Sequence, residues 1–159
     1  MELRCGSHLV EKHTCYIAAH EIAKTLGLNM STSLPFFHAF TGCDTVSCFN
    51  GKGKRTARDT WQPFPDVTEA FLILSCSPNE LTEDSVCFDL IQRFVVLMYD
   101  RNSDITATNE VRKYLFSRKS KDIESIPPTS TALLHHSIAS AQQKGSFSSR
   151  PYLGYCFKT

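Results

Sequence analysis

The sequence predicts a mainly helical bundle, and three observations carry that expectation. Apolar residues recur at helical spacing, most fully where Val86, Leu90, Ile91, Phe94, Val95, Leu97 and Met98 share a face up to Tyr99. The periodic segments are separated by residues that stop or open helices, among them Gly27, Gly42, Pro63, Pro65 and the pair Pro127 and Pro128. A Gly-Lys-Gly turn at 51–53 stands between an apolar helical segment and a basic one, the pattern of a helix–hairpin–helix. One departure from helix is expected at the start. Residues 2–17 alternate weakly around Gly6, Ser7 and His8, as a short N-terminal β-hairpin would.

The elements follow in order. Ile22, Ala23 and Leu26 fall on one helical face, with Gly27 as the stop. Ser33 is a suitable N-cap, with Pro35 just inside the next helix, where its missing N–H is harmless. Leu34, Phe36, Phe37, Ala39 and Phe40 make that helix apolar on nearly every side, so it should be buried, and Gly42 ends it. Asp44 or Thr45 can cap a short helix through Cys48 and Phe49. Asn50 and Gly51 signal a turn, Gly53 permits positive φ, and a helix begins near Lys54 and ends near Trp61. Pro65 opens a helix with Val67, Ala70, Phe71 and Leu74 on one face, and Thr82, with Asp84 and Ser85, starts the long helix. Asn102, Ser103 and Asp104 form a turn; 109–116 reads as a short helix with Val111, Tyr114 and Leu115 apolar. Thr129 or Ser130 caps a last helix through about Gln143, with Leu133, Leu134, Ile138 and Ala141 inward. The expected divisions are a β element and helix at 1–33, the helix–hairpin–helix region at 34–62, a helical region at 63–145 and a tail at 146–159. No internal repeat or low-complexity tract interrupts them.

Composition narrows the function classes. At 159 residues the chain can bury one sizeable core, or form part of a larger domain. A formal net charge of +1 argues against a globally basic nucleic-acid coat protein but leaves room for a local basic patch. The longest apolar cluster, 94–99, is far too short to span a membrane, so no membrane partner is expected. Seven cysteines at irregular spacing, with no apolar leader after Met1, point to reduced thiols in an intracellular protein.

Residues 34–61 concentrate the chemistry. The glycines at 51 and 53 let the backbone approach a phosphate closely, and the N–H groups opening the second helix favour an anion. Lys52, Lys54, Arg55 and Arg58 surround that point, as contacts to a nucleic-acid backbone would. A plain helical corner with solvated Lys and Arg is the competing reading. The spacing of a Walker A loop is absent. Asp44, beside this turn, is either a ligand for a divalent cation or the cap of the helix after it. Cys43, Cys48 and the cluster Cys5, His8, His13, Cys15 and His20 match no zinc spacing well. His38 in its apolar helix reads as a hydrogen-bonded core histidine rather than the base of a Cys43 nucleophile. His135 and His136 suggest nothing specific, and Trp61, Phe64 and Phe71 read as core. No catalytic residue emerges.

The Gly-Cys-Asp at 42–44 followed by Gly-x-Gly-Lys at 51–54 resembles flap-endonuclease-type, PIN-like nucleases. Nearly the whole chain also resembles a group of transposon-associated proteins, through segments 38–47, 51–57, 93–101, 109–116 and 126–135. The nuclease resemblance implies that Asp44 is a metal ligand, for Mg2+, and that Gly51, Gly53 and Lys54 belong to a hairpin gripping duplex DNA with a K+ ion bound. Thr45 and Lys52 depart from that pattern, which has an aromatic and an apolar residue there. The further acidic ligands of such nucleases lie on upstream strands, and this chain begins after the point where they would stand. The implication is a partial PIN-like α/β domain, a degenerate nuclease segment inactive alone that keeps a sequence-non-specific hold on nucleic acid, DNA in the first instance. A DNA partner would make the nucleus one intracellular location. The alternative is a non-catalytic interaction or scaffold domain of a domesticated mobile element.

Overall fold

Gly27 divides the first two helices of the computed structural model, which describes residues 19–44, 46–77, 81–118 and 126–148. Its φ of 79° breaks the run between α1 (Ala19–Leu26) and α2 (Leu28–Phe40). The expected stop at Gly27 therefore holds, but the next helix starts at once rather than at Ser33. Ser33 lies inside α2, fully buried, and its hydroxyl donates to Asn29 O at 2.8 Å instead of capping a new start. Pro35 is likewise inside the helix.

The remaining elements are α3 (Lys54–Trp61), α4 (Val67–Cys76), α5 (Val86–Tyr99), α6 (Thr108–Arg118) and α7 (Ser130–Ser148). The chain is mainly helical. Among the described residues there is no strand, only two isolated antiparallel bridges. The β-hairpin expected at 2–17 lies outside the described residues. The cap at Thr129 matches the sequence reading, whereas the long helix opens at Ser85 rather than at Thr82. Ser85 Oγ accepts from Phe88 N at 3.2 Å to open α5, and Thr129 Oγ1 accepts from Ala132 N at 3.2 Å to open α7. α7 continues past 143 to Ser148, and α2 runs across the division expected at 33–34.

The core is aromatic and centred on α2, α4 and α5. Phe36 and Phe37 meet Phe71 at centroid distances of 5.3 and 6.2 Å, and Phe71 stands edge-on to Phe94 at 5.3 Å. Trp61 from α3 closes the cluster, edge-on to Phe71, with its indole N–H donating to Thr68 Oγ1 at 2.8 Å. Trp61 and Phe71 are thus core, as read from the sequence, and Phe64, half-buried, packs against the core cluster. Val67, Ala70, Phe71 and Leu74 all point inward from α4. Four apolar expectations fail: Ile22, Leu34 and Tyr114 stand at the surface, and Val86, the first residue of α5, is 76% exposed. His38 also sits on the exposed side of α2, not in the core.

The segments between α5 and α7 are tied by polar side chains. Arg93 donates to Ser103 O and Ile105 O at 2.6 and 2.7 Å, holding the α5–α6 loop. Gln92 Oε1 accepts from Thr108 N, Thr108 Oγ1 and Ser130 Oγ at 3.2–3.3 Å. Asn109 Oδ1 accepts from Ser130 N at 3.0 Å, and Arg112 donates to Pro127 O. These residues come from segments 93–101, 109–116 and 126–135 or flank them. Their shared property here is that they fasten α5, α6 and the start of α7 together.

Candidate functional site

The candidate site grows from the C-terminal end of α2. Thr41 Oγ1 donates back to Phe37 O at 2.7 Å, and Gly42, at φ 100°, turns the chain out of the helix. Gly42 is required twice over. Its φ is left-handed, and a Cβ placed there would lie 2.5 Å from Cys48 Cβ. The chain then folds into two tight turns. Cys43 and Val46 exchange both backbone hydrogen bonds at 3.2 Å, and Lys52 N donates to Phe49 O at 3.0 Å. The second turn uses Gly51 at φ 66°. The short helix expected from Asp44 or Thr45 through Phe49 does not form. Cys43 and Val46 bond to each other with the groups a helix would direct four residues along. Asp44 caps nothing and is exposed; Thr45 lies outside the described residues.

Gly53 adopts φ −80° and ψ 178°, ordinary extended backbone, so the positive φ that glycine permits is not used there. It opens α3 without any side-chain cap, and the first helical bond runs from Ala57 N to Gly53 O at 3.1 Å. The N–H groups of Lys54, Arg55 and Thr56 precede that bond.

Each cation of the cluster has a different position. Lys54 turns back onto α2. Its ammonium donates to His38 O at 3.1 Å, to Thr41 Oγ1 at 3.3 Å and to Gly42 O. It is a cation at a helix C-terminus, where the dipole favours it. Partial burial lowers the Lys54 pKa, opposed by the nearby thiols of Cys43 and Cys48. Lys52 lies over the Tyr99 ring, 5.1 Å from its centroid. Burial pushes the Tyr99 hydroxyl up to about 12, with Cys48 adding to that and Arg112 opposing it. Arg55 is exposed, and Arg58 is exposed and contacts its neighbour Asp59 at 3.1 Å. Phe37, Lys54, Arg55 and Arg58 line one open groove along α2 and α3. The sequence-predicted cations therefore separate into two exposed arginines, one lysine on an aromatic ring and one lysine locking two helices.

His136 completes the site from α7. Its Nε2 lies 2.8 Å from Phe40 O and its Nδ1 3.3 Å from Ser47 Oγ. With Nε2–H donating to the carbonyl, Nδ1 is left to accept from the Ser47 hydroxyl. The ring packs against Phe40 and Phe49 at 5.2 and 4.9 Å. Burial lowers its pKa, partly offset by the bond to Phe40 O. His38, on the other side, is lowered by burial and then by Lys54, with Asp44 opposing. The sequence reading passed over His136. A signal was present, since it shares a helical face with Leu133 and Ser140, both fully buried.

The residues around Asp44 do not fit the implied Mg2+. Among the described residues no group of three or more His, Cys, Asp or Glu side chains could hold a metal, and Asp44 is a lone exposed carboxylate. Mg2+ demands several hard oxygen ligands. No helix among the described residues is long and apolar enough to cross a membrane. No protein-family model, curated protein or solved structure matches the chain.

Proposed function

We propose that the chain is a non-catalytic, partial PIN-like nuclease segment that holds a nucleic-acid backbone, DNA in the first instance, through the 51–53 turn and the start of α3. The observation that carries this reading is the uncapped N-terminus of α3 with Arg55 and Arg58 exposed on the same groove. Unsatisfied N–H groups, the helix dipole and two guanidinium groups there favour a phosphate. Gly51 and Gly53 carry no side chain to keep it away. Lys54 acts indirectly, fixing the start of α3 against the end of α2. Asp44 contributes no catalysis by itself.

The test is a gel-shift titration of duplex DNA at low salt with Arg55→Glu/Arg58→Glu. Binding should weaken across all sequences, and the dependence of log K on log salt should flatten by about two. No binding by the wild type, or equal binding by the variant, defeats the proposal. So does magnesium-dependent cleavage abolished by Asp44→Ala, on the non-catalytic part.

A second reading, a protein-interaction domain, is favoured by a different observation. Lys52 and Lys54 direct their charges inward, while Leu28 and Val86 are 80% and 76% exposed. It is distinguished by association with a protein partner and no salt-dependent DNA binding.

A further inference from the structure

The geometry points to Cys43 and Cys48 as a redox-active thiol pair, which a low-molecular-weight disulfide of the glutathione class converts to an internal disulfide bridge. Both thiols bracket Gly42. Cys43 follows it in the chain, and Cys48 packs over its α-carbon, so that a Cβ on Gly42 would lie 3.0 Å from Cys48 Cα. Consecutive α-carbons are about 3.8 Å apart, which confines the two cysteine α-carbons to within about 8 Å of each other at most. A bridged pair spans about 4.4–6.8 Å. The intervening turn already closes through the paired bonds between Cys43 and Val46. Both thiols also act on the charge of one ammonium, that of Lys54, which is anchored on Gly42 O.

Cys48 is exposed and Cys43 half-buried, which sets their order. The Cys48 thiolate attacks one sulfur of the glutathione disulfide. That S–S bond breaks, and one glutathione leaves as its thiolate. The Cys43 thiolate then attacks the Cys48 sulfur of the mixed disulfide and expels the second glutathione. Two protein thiols are oxidised by two electrons, one small disulfide is reduced to two thiols, and the two protons given up by the cysteines are taken by the two glutathione thiolates. The proposal stands apart from the nucleic-acid reading and survives its failure.

The test equilibrates the whole chain in glutathione buffers of graded ratio, quenches with an alkylating agent and weighs the tryptic fragment 25–52, which holds both cysteines and no others. In oxidising buffer the fragment should lose two hydrogens and carry no glutathione, and dithiothreitol should restore it. Cys43→Ser, checked for helix content by circular dichroism, should leave one glutathione on Cys48. The bridge should form at least about tenfold more favourably in the folded chain than in concentrated urea, a shift of about 30 mV. Thiols that stay alkylatable, or glutathione retained separately on each cysteine, overturn the proposal. Equal bridging in the folded and denatured chains overturns it too, since the fold would then contribute nothing to the pair.

Discussion

The α4–α5 core and the 42–58 segment are held by different physics. In the core, Phe71, Leu74, Ile91, Phe94 and Val95 are fully buried and need only to exclude water and fill space. In the 42–58 segment few side chains are buried. Its shape depends on two left-handed glycines, two tight turns, and polar side chains reaching in from Lys54 and His136. A core of this kind resists point changes in proportion to lost volume. A segment of this kind depends on a few directed bonds, each of which can be removed alone.

The largest effect should come from the core. Phe94→Ala removes a ring that meets Phe71 at 5.3 Å and Phe40 at 6.4 Å, and truncations of this type cost about 3–5 kcal/mol. Urea unfolding followed by circular dichroism would measure it. A loss below about 1 kcal/mol would mean that α5 is not the centre of the core.

Lys54→Met tests the segment. It keeps the aliphatic stem and removes the ammonium from His38 O, Thr41 Oγ1 and Gly42 O. The lost charge-assisted bonds, discounted because the site is partly open to solvent, should amount to about 1–2 kcal/mol. Hydrogen exchange should rise in the last turn of α2 and the first of α3 more than in α5. Equal protection in all three would show that Lys54 is a bystander. This substitution is a poor probe of DNA binding for the same reason, which is why Arg55 and Arg58 carry that test.

The contrast also explains what could be read from the sequence. Core helices announce themselves by period. Val67, Ala70, Phe71 and Leu74, or Ile91, Phe94, Val95 and Met98, lie on one face because 3.6 residues make a turn, and burial follows. The site is different. Gly42, Gly51 and the start of α3 at Lys54 are legible as local turn chemistry. The two-turn path from Cys43 to Lys52 is not, because Asp44 and Thr45 suit a helix cap equally well. Where a cation points depends on what lies across from it. Lys54 meets carbonyls of α2, Lys52 meets Tyr99 some 47 positions away, and His136 reaches Phe40 from α7. Ser33 shows the same limit within a helix. Its preference for a cap is local, and it yielded to the continuous packing of α2 against α4.

His136 gives the segment a pH dependence that the core lacks. Its folded pKa lies below the ordinary value of 6.5, through burial. The unfolded chain therefore takes up the proton first as pH falls. The stability is fully present above about pH 6.5 and is lost as pH drops through the lower folded value. The slope for one proton cannot exceed about 1.4 kcal/mol per pH unit. His38 shifts in the same direction, with burial again the main cause. Unfolding titrations from pH 8 to 5 should show stability falling, and His136→Gln should flatten that fall more than His38→Gln does. Equal flattening would place the buried proton site elsewhere.

The smallest effects sharpen the functional side of the comparison. Gly51, at φ 66°, should lose about 1 kcal/mol on change to Ala, because a Cβ is strained in the left-handed region. Gly53 has ordinary extended backbone, and a Cβ there meets nothing within 4 Å. Ala at that position reduces the freedom of the unfolded chain but is a poorer N-cap than Gly, and the two effects nearly cancel, leaving a change within about 0.5 kcal/mol. Gly53→Ala is therefore nearly silent for stability. It still adds a methyl group where a phosphate would come closest to the N–H groups of α3. On the nucleic-acid reading it should weaken DNA binding at unchanged stability. On the protein-interaction reading neither quantity should move, so Gly53→Ala separates the two readings without disturbing the fold.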